Sequence, residues 1–304
     1  MLTKQFRNVA ALLLSTVLLY MGSGEAWADE SIVIDFVRHG QSVANADGLI
    51  DTGVPGTRLT QLGQQQARAV ANVLARQGPF AGIFASELIR TQETAAPLTQ
   101  LLRMNAQILP GLNEINAGIY NRLPEFSLAG LLYIVGPVAW ALGLPFVPML
   151  APGSTDVNGV VFKKRFTNAL QTIYSNALAH PVRAADGKIT TVAFSSELDT
   201  EVGTLMNVKN PDPLLMLIDP LPNTGIIVIE GNPREDWTLI SWNGKPVAPT
   251  PAGARISPET TRLCQILLPT ETGSCAAKPT STPGGPRPPT GKRVSDRLPA
   301  APHG

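Results

Sequence analysis

Residues 32–45 read Ile-Val-Ile-Asp-Phe-Val-Arg-His-Gly-Gln-Ser-Val-Ala-Asn. The stretch opens as an apolar run rich in β-branched residues, the signature of a buried strand. It passes directly into an Arg-His-Gly triplet and a polar loop. Open α/β sheets bind ligands outside the carboxyl ends of their strands, so Arg38 and His39 fall where a ligand site belongs. Arg38 offers a planar fork of donors that matches an oxyanion. His39 offers a ring nitrogen able to attack phosphorus and carry the phosphoryl group. The pair points to phosphoryl transfer through a histidine.

Beyond this strand, helical and extended patterns alternate. Thr60 is placed to cap a helix running to about Gln77, with Gly78-Pro79 as its stop and Ala67, Val70, Ala71 and Leu74 on one face. Residues 80–85 read as a second strand. Ser86 is placed to cap a helix over 87–102 that Pro97 should bend or interrupt. A third strand is expected at 106–109. Phe162, Phe166, Ala169, Leu170, Ile173 and Ala177 form another helical stripe. A β-branched strand over 189–194 ends at Ser195-Ser196, and two further strands at 225–230 and 237–242 flank the turn-like Gly231-Asn232-Pro233. The alternation predicts an α/β chain: a three-layer α/β/α sandwich around a mostly parallel central sheet.

Residues 126–155 break the rhythm, because they contain no charged side chain. The length would suit a membrane span. Pro137, Pro145 and Pro148, with Gly130, Gly136 and Gly143, are expected to divide it into short pieces, and a span here would put two halves of one sheet on opposite sides of a bilayer. The segment is read instead as an inserted apolar helical cap, at about 119–157. It serves as packing against the domain or a second copy of the chain, as a lid over the site, or as a surface that dips into lipid.

The chain has 304 residues, 44% of them hydrophobic and 15% charged, enough for one large domain or two small ones. Residues 1–28 read as a secretory signal: Lys4 and Arg7, an apolar stretch at 9–21, and the small-x-small site Ala26-Trp27-Ala28, leaving Asp29 first. Its removal leaves 22 basic and 22 acidic residues, so nothing marks nucleic acid as a partner. Localisation outside the cytoplasm, secreted or at the cell envelope, follows. Cys264 and Cys275 are the two cysteines. In an oxidising compartment they can close a disulfide loop over 261–276, worth roughly 3 kcal/mol; the alternative is two free thiols. Their spacing does not suit zinc, and no cofactor or metal is expected. Residues 277–304, rich in Pro, Gly, Ser and Thr and set against one acid, Asp296, read as a disordered basic tail. The α/β domain is thus expected over 29–260.

Further motifs sharpen the chemistry. Asn45 follows the triplet. Leu59-Thr60 through Gly63 opens the next helix, and Ser86-Glu87-Leu88-Ile89-Arg90-Thr91 sets a second arginine near a strand end. Leu112-Asn113-Glu114 comes later. These segments resemble the histidine phosphatase superfamily, the phosphoglycerate-mutase-like branch 1 group. Its opening motif Arg-His-Gly-Glu/Gln-Ser/Thr-x-x-Asn is matched by 38–45, its Ser-x-Leu-x-Arg-Thr by 86–91 and its Leu-x-Glu by 112–114. The resemblance spans roughly 31–245. It implies His39 as the phosphorylated nucleophile, Arg38 and Arg90 as the phosphate clamp, Asn45 as pocket support and Glu114 as proton donor and later base.

One position departs. The family ends a late strand with Ser-His-Gly, and the second histidine also meets the phosphate. Here the strand ends Ser195-Ser196-Glu197, placing Ser196 at that position. The other histidines, His180 and His303, belong to a helix end on the far edge of the sheet and to the tail. Ser196 brings a hydrogen bond but no charge, a loss on the order of a hundred-fold in rate if it acts like a missing oxyanion donor. The expected function is an exported, metal-independent phosphomonoesterase acting through a phosphohistidine. It is expected to be slow and, with the segment as a lid, to favour substrates with an apolar portion; a small phosphomonoester or a phosphopeptide would be the partner. The alternatives are an anion-binding pseudophosphatase of the cell envelope and a mutase-type phosphotransferase.

Overall fold

The computed structural model describes residues 30–247. The signal-like segment at 1–28, the Cys264/Cys275 pair and the tail at 277–304 lie outside the described residues.

The chain forms β1 (Ile32–Arg38), α1 (Val43–Asp47), α2 (Gln61–Gln77), β2 (Gly82–Ala85), α3 (Ile89–Leu102), β3 (Ala106–Ile108), α4 (Leu128–Ala141), α5 (Gly159–Ala179), β4 (Ile189–Ser195), α6 (Glu197–Asn207), α7 (Leu215–Ile218), β5 (Ile226–Asn232), β6 (Asp236–Trp242) and β7 (Lys245–Pro246). The sheet runs β3-β2-β4-β1-β5-β6-β7. Its first four strands are parallel, and β5, β6 and β7 add antiparallel neighbours. The expected α/β architecture with a mostly parallel centre is present. The strand at 225–230 extends further than expected, since Gly231 and Asn232 are still paired with β6.

Two apolar layers cover the sheet, one on each face. Ile32, Ile34 and Phe36 of β1 join Phe162, Phe166, Ile173 and Trp140 on one side. Val37, Val192 and Phe194 join Val70, Leu74 and Leu98 on the other. Period-2 alternation along β1 therefore serves both helical layers. Phe36 meets Phe166 at a 5.5 Å ring separation, and Trp140 of α4 stacks on Phe162 at 5.8 Å. That second contact ties the apolar insertion to the core.

Three local expectations change. Ser86 does not cap α3; Leu88 occupies the cap position, and Ser86 Oγ instead lies 2.8 Å from Thr91 Oγ1. Pro97 sits inside α3, which continues to Leu102. Pro137 and Gly136 likewise sit inside α4, which runs unbroken over Leu128–Ala141 rather than splitting into short pieces. Packing supplies the reason: Gly130, Tyr133, Gly136, Pro137, Trp140 and Ala141 are the buried residues of α4, and tertiary burial outweighs local propensity. No helix among the described residues is long and apolar enough to cross a membrane.

Candidate active site

Strand order brings the motifs together. Arg38 is registered against Ser195 across the β1–β4 pair, and His39 N–H donates to the Ser195 carbonyl at 3.0 Å. Ser86 N–H donates to the Phe194 carbonyl at 3.1 Å, setting the start of α3 beside the same strand tips. Gly40 is required by proximity: a Cβ there would lie 2.6 Å from the Gly63 carbonyl oxygen, at the first turn of α2. Its N–H donates to Thr94 Oγ1 at 3.0 Å. The Arg-His-Gly turn is thus held between α2 and α3.

His39 is 3% exposed. Its Nδ1 lies 2.7 Å from the Gly40 carbonyl oxygen. A carbonyl only accepts, so Nδ1 carries the hydrogen and Nε2 carries the lone pair. Arg90 Nε donates to that Nε2 at 2.8 Å. Burial pushes the imidazole well below its ordinary pKa, and the positive charges of Arg90 and Arg38 push the same way against the Gly40 bond. The ring thus favours its neutral form, with the lone pair fixed on Nε2.

Arg90 is 2% exposed, and each of its three nitrogens is engaged. Beyond His39, its Nη1 meets Asp51 Oδ2 at 3.3 Å, and its Nη2 donates to the Asp51 carbonyl at 2.8 Å and to Ser196 Oγ at 3.2 Å. Asp51 Oδ2 also accepts from the N–H and hydroxyl of Thr57, both at 2.7 Å. Asp51 was missed in the sequence. It lies in an unremarkable loop, and no spacing marks it as the anchor of the arginine. Arg38 pairs through Nη1 with Glu197 at 2.7 Å and donates to the Leu221 carbonyl at 2.5 Å. Its Nε is buried with no hydrogen-bond partner, a donor free for an oxyanion.

Ser196 is the N-cap of α6, but its hydroxyl makes no cap bond; it accepts from Arg90 instead. Glu197, the next residue, faces the clamp. Asn45 completes a capping box with Ser42 at the start of α1 and accepts from Asn223 Nδ2 at 3.4 Å. His180 is the exposed C-cap of α5, before β4 begins, at the sheet edge away from the site.

Glu114 Oε1 accepts from the N–H groups of Ile115 at 2.8 Å and Asp199 at 2.9 Å. Burial raises its carboxyl pKa, Glu197 adds to the rise, and the two N–H groups and Arg90 oppose it. Its loop is held from below. Arg165 donates to the Gly111 and Asn113 carbonyls at 2.9 and 2.8 Å while pairing with Asp156 and Asp199, and Tyr133 of α4 donates to the Ile115 carbonyl at 2.6 Å. Arg38, His39, Asn45, Arg90 and Glu114 all line one cavity of about 830 Å³, whose opposite wall is the start of α4. Among the described residues, no group of three or more His, Cys, Asp or Glu side chains could hold a metal ion.

The histidine phosphatase superfamily (branch 1) model matches residues 34–131, a span that holds Arg38, His39, Asn45, Arg90 and Glu114 but not Ser196. Over 220 residues the chain is 66% identical to PE-PGRS family protein PE_PGRS11 of Mycobacterium tuberculosis, covering 72% of this chain and 38% of that protein. It is 37% identical over 92 residues to the Yersinia enterocolitica protein named "Probable phosphoglycerate mutase GpmB", covering 30% of this chain and 42% of that one. The chain therefore spans about two fifths of the length of these curated relatives. In fold it is similar to a mycobacterial glucosyl-3-phosphoglycerate phosphatase solved with VO3, with a TM-score of 0.55 at 20% identity over 70% of this chain and 98% of that one. The Arg-His-Gly turn, the second arginine and the carboxylate that share this cavity all lie in the stretch of the α/β domain that matches the histidine phosphatase superfamily (branch 1) model.

Proposed function

We propose that the chain is a metal-independent phosphomonoesterase working through a phosphohistidine at His39 Nε2. One observation carries this reading: the Gly40 carbonyl holds the Nδ1 hydrogen, so the lone pair sits on Nε2, where Arg90 Nε meets it and the positive charge of Arg38 acts as well. An entering phosphoryl group takes over the Arg90 Nε donor. The same exchange satisfies a phosphate oxygen and uncovers the lone pair that attacks. Arg38 and Arg90 offset the charge spread over the equatorial oxygens. Glu114, whose carboxyl pKa is raised by burial, gives its proton to the leaving alkoxide, and Oε2 is the oxygen left to carry it. Water then attacks the phosphohistidine, and the Glu114 carboxylate takes its proton.

Ser196 and Glu197 favour a second reading, a non-catalytic anion-binding protein, because Glu197 already occupies Arg38. Incubation with a labelled phosphodonor and a denaturing alkaline quench separates the two. Label on wild type and none on His39→Ala supports the enzyme; no label with any donor, together with phosphate binding, supports the binder. Export is part of the proposal and rests on residues 1–28. N-terminal sequencing of extracytoplasmic protein is expected to begin at Asp29; recovery only of an intact leader in the cytoplasm would overturn it.

A further inference from the structure

We infer that the cavity takes a singly phosphorylated amphiphile, with its phosphoryl group at His39 and an apolar chain along α4, and that Glu125 and Glu197 reject a second anionic group on the same molecule. The inference rests on the phosphoryl site proposed above and names its substrate class.

Size is the first ground. About 830 Å³ is far more than one phosphate needs and falls in the range of whole small-molecule sites, roughly 300–1,000 Å³. The second is the wall. Leu49, Phe126, Leu128, Leu131, Ile134 and Leu198 line the cavity. Of these, Phe126, Leu128 and Leu131 are 99%, 71% and 60% exposed. Scattered surface leucines need no explanation, but a continuous apolar wall beginning beside a catalytic histidine does. Leu128, Leu131 and Ile134 repeat every three residues on α4, so they form a strip rather than a spot. The helix behind them is fixed by Trp140 on Phe162 and by Tyr133 on the Ile115 carbonyl, so the strip is a rigid wall.

Charge is the third ground. The lining holds two cations, Arg38 and Arg90, and four carboxylates, Asp51, Glu114, Glu125 and Glu197. Arg90 is matched by Asp51 and Arg38 by Glu197. A phosphoryl group can displace Glu197, but no further cation of the lining remains for a carboxylate or second phosphate. Such a group would meet Glu125 and Glu197 instead. An uncharged chain meets no such penalty and covers the exposed strip.

Calorimetric titration of the full chain with methyl-, propyl-, butyl- and octylphosphonate tests this without requiring turnover. Affinity is expected to rise up to about four-fold per added methylene, and at least a hundred-fold from methyl to octyl. Leu131→Ser and Phe126→Ser, both at exposed positions, are expected to cut the octyl-to-methyl affinity ratio at least ten-fold. 2-Carboxyethylphosphonate is expected to bind more weakly than propylphosphonate. A flat chain-length series, or tighter binding of the carboxyethyl compound, overturns the inference. So does a flat series combined with co-sedimentation on neutral phosphatidylcholine vesicles, which would make the strip a lipid contact. The phosphohistidine assay fails or succeeds independently: label with a flat series sinks the amphiphile alone, and a rising series without label sinks the phosphatase alone.

Discussion

At the floor of the cavity, His39 and Arg90 are almost fully buried, and Arg90's donors are already held by His39, Asp51 and Ser196. At its mouth, Phe126 and Leu128 stand in solvent. The floor works because low dielectric strengthens each polar contact and punishes each missing one. Its geometry must therefore be complete before substrate arrives. The mouth has the reverse logic: an apolar surface left open gains free energy only when something covers it. One end is preorganised and the other unfinished, and, as proposed above, the second gives the first its selectivity.

Substitutions can break or sharpen this contrast, beginning where the largest effect is expected. His39→Ala should lower kcat by on the order of 10⁴-fold or more, since it removes the ring nitrogen proposed to carry the phosphoryl group; steady-state assays with a phosphatase panel check it. Comparable residual turnover would place the nucleophile elsewhere.

Glu114→Gln should lower kcat for alkyl phosphates by on the order of 10²–10⁴-fold and for nitrophenyl phosphate by less, because that leaving group needs no proton. The pH profile follows with its sign. Glu114 acts in its protonated form and its pKa is raised, so kcat/KM falls as pH climbs through that raised value. The pKa of His39 is lowered, so the ring stays neutral, and no acid loss from it appears near the ordinary imidazole range. In Glu114→Gln the alkaline fall should vanish; its survival would assign the limb to another group.

The two faces of α4 give the next test. Trp140, 1% exposed, anchors α4, and Trp140→Ala should destabilise by roughly 3–5 kcal/mol. Leu128→Ser on the open face should stay within about 0.5 kcal/mol. Thermal unfolding measures both, and equal losses would mean that the open face is packed in solution. The smallest effect belongs to Glu197→Gln. Freeing Arg38 from a mostly buried ion pair should tighten phosphate binding by roughly three- to five-fold at pH 7.5. Because burial raises the pKa of Glu197, a larger fraction of the wild-type side chain is already uncharged at pH 5, and the gain there should be smaller. A weaker affinity in the variant would show that Glu197 helps hold the anion.

Much of this was legible because the motifs are local. The strand before Arg38, the step from Ser86 to Arg90 and the Leu112–Glu114 turn each join an element to a chemical group within a few residues. Asp51 was not legible, since its partner Arg90 lies 39 residues away. The continuity of α4 through Pro137 was not legible either, because it depends on Trp140 finding Phe162. Ser196 could be seen as the missing histidine, but its bond to Arg90 across 106 residues could not.

The sequence by itself determined the alternation of strand and helix, the position of Arg38 and His39 at a strand tip, and the uncharged character of the insertion, because these follow from hydrophobic period and residue type along a short stretch. Only the tertiary structure decided which nitrogen of His39 is free, which carboxylate holds each arginine and which face of α4 stays open. Those depend on distances between residues far apart in the chain, and only the closed sheet and its packed layers set them.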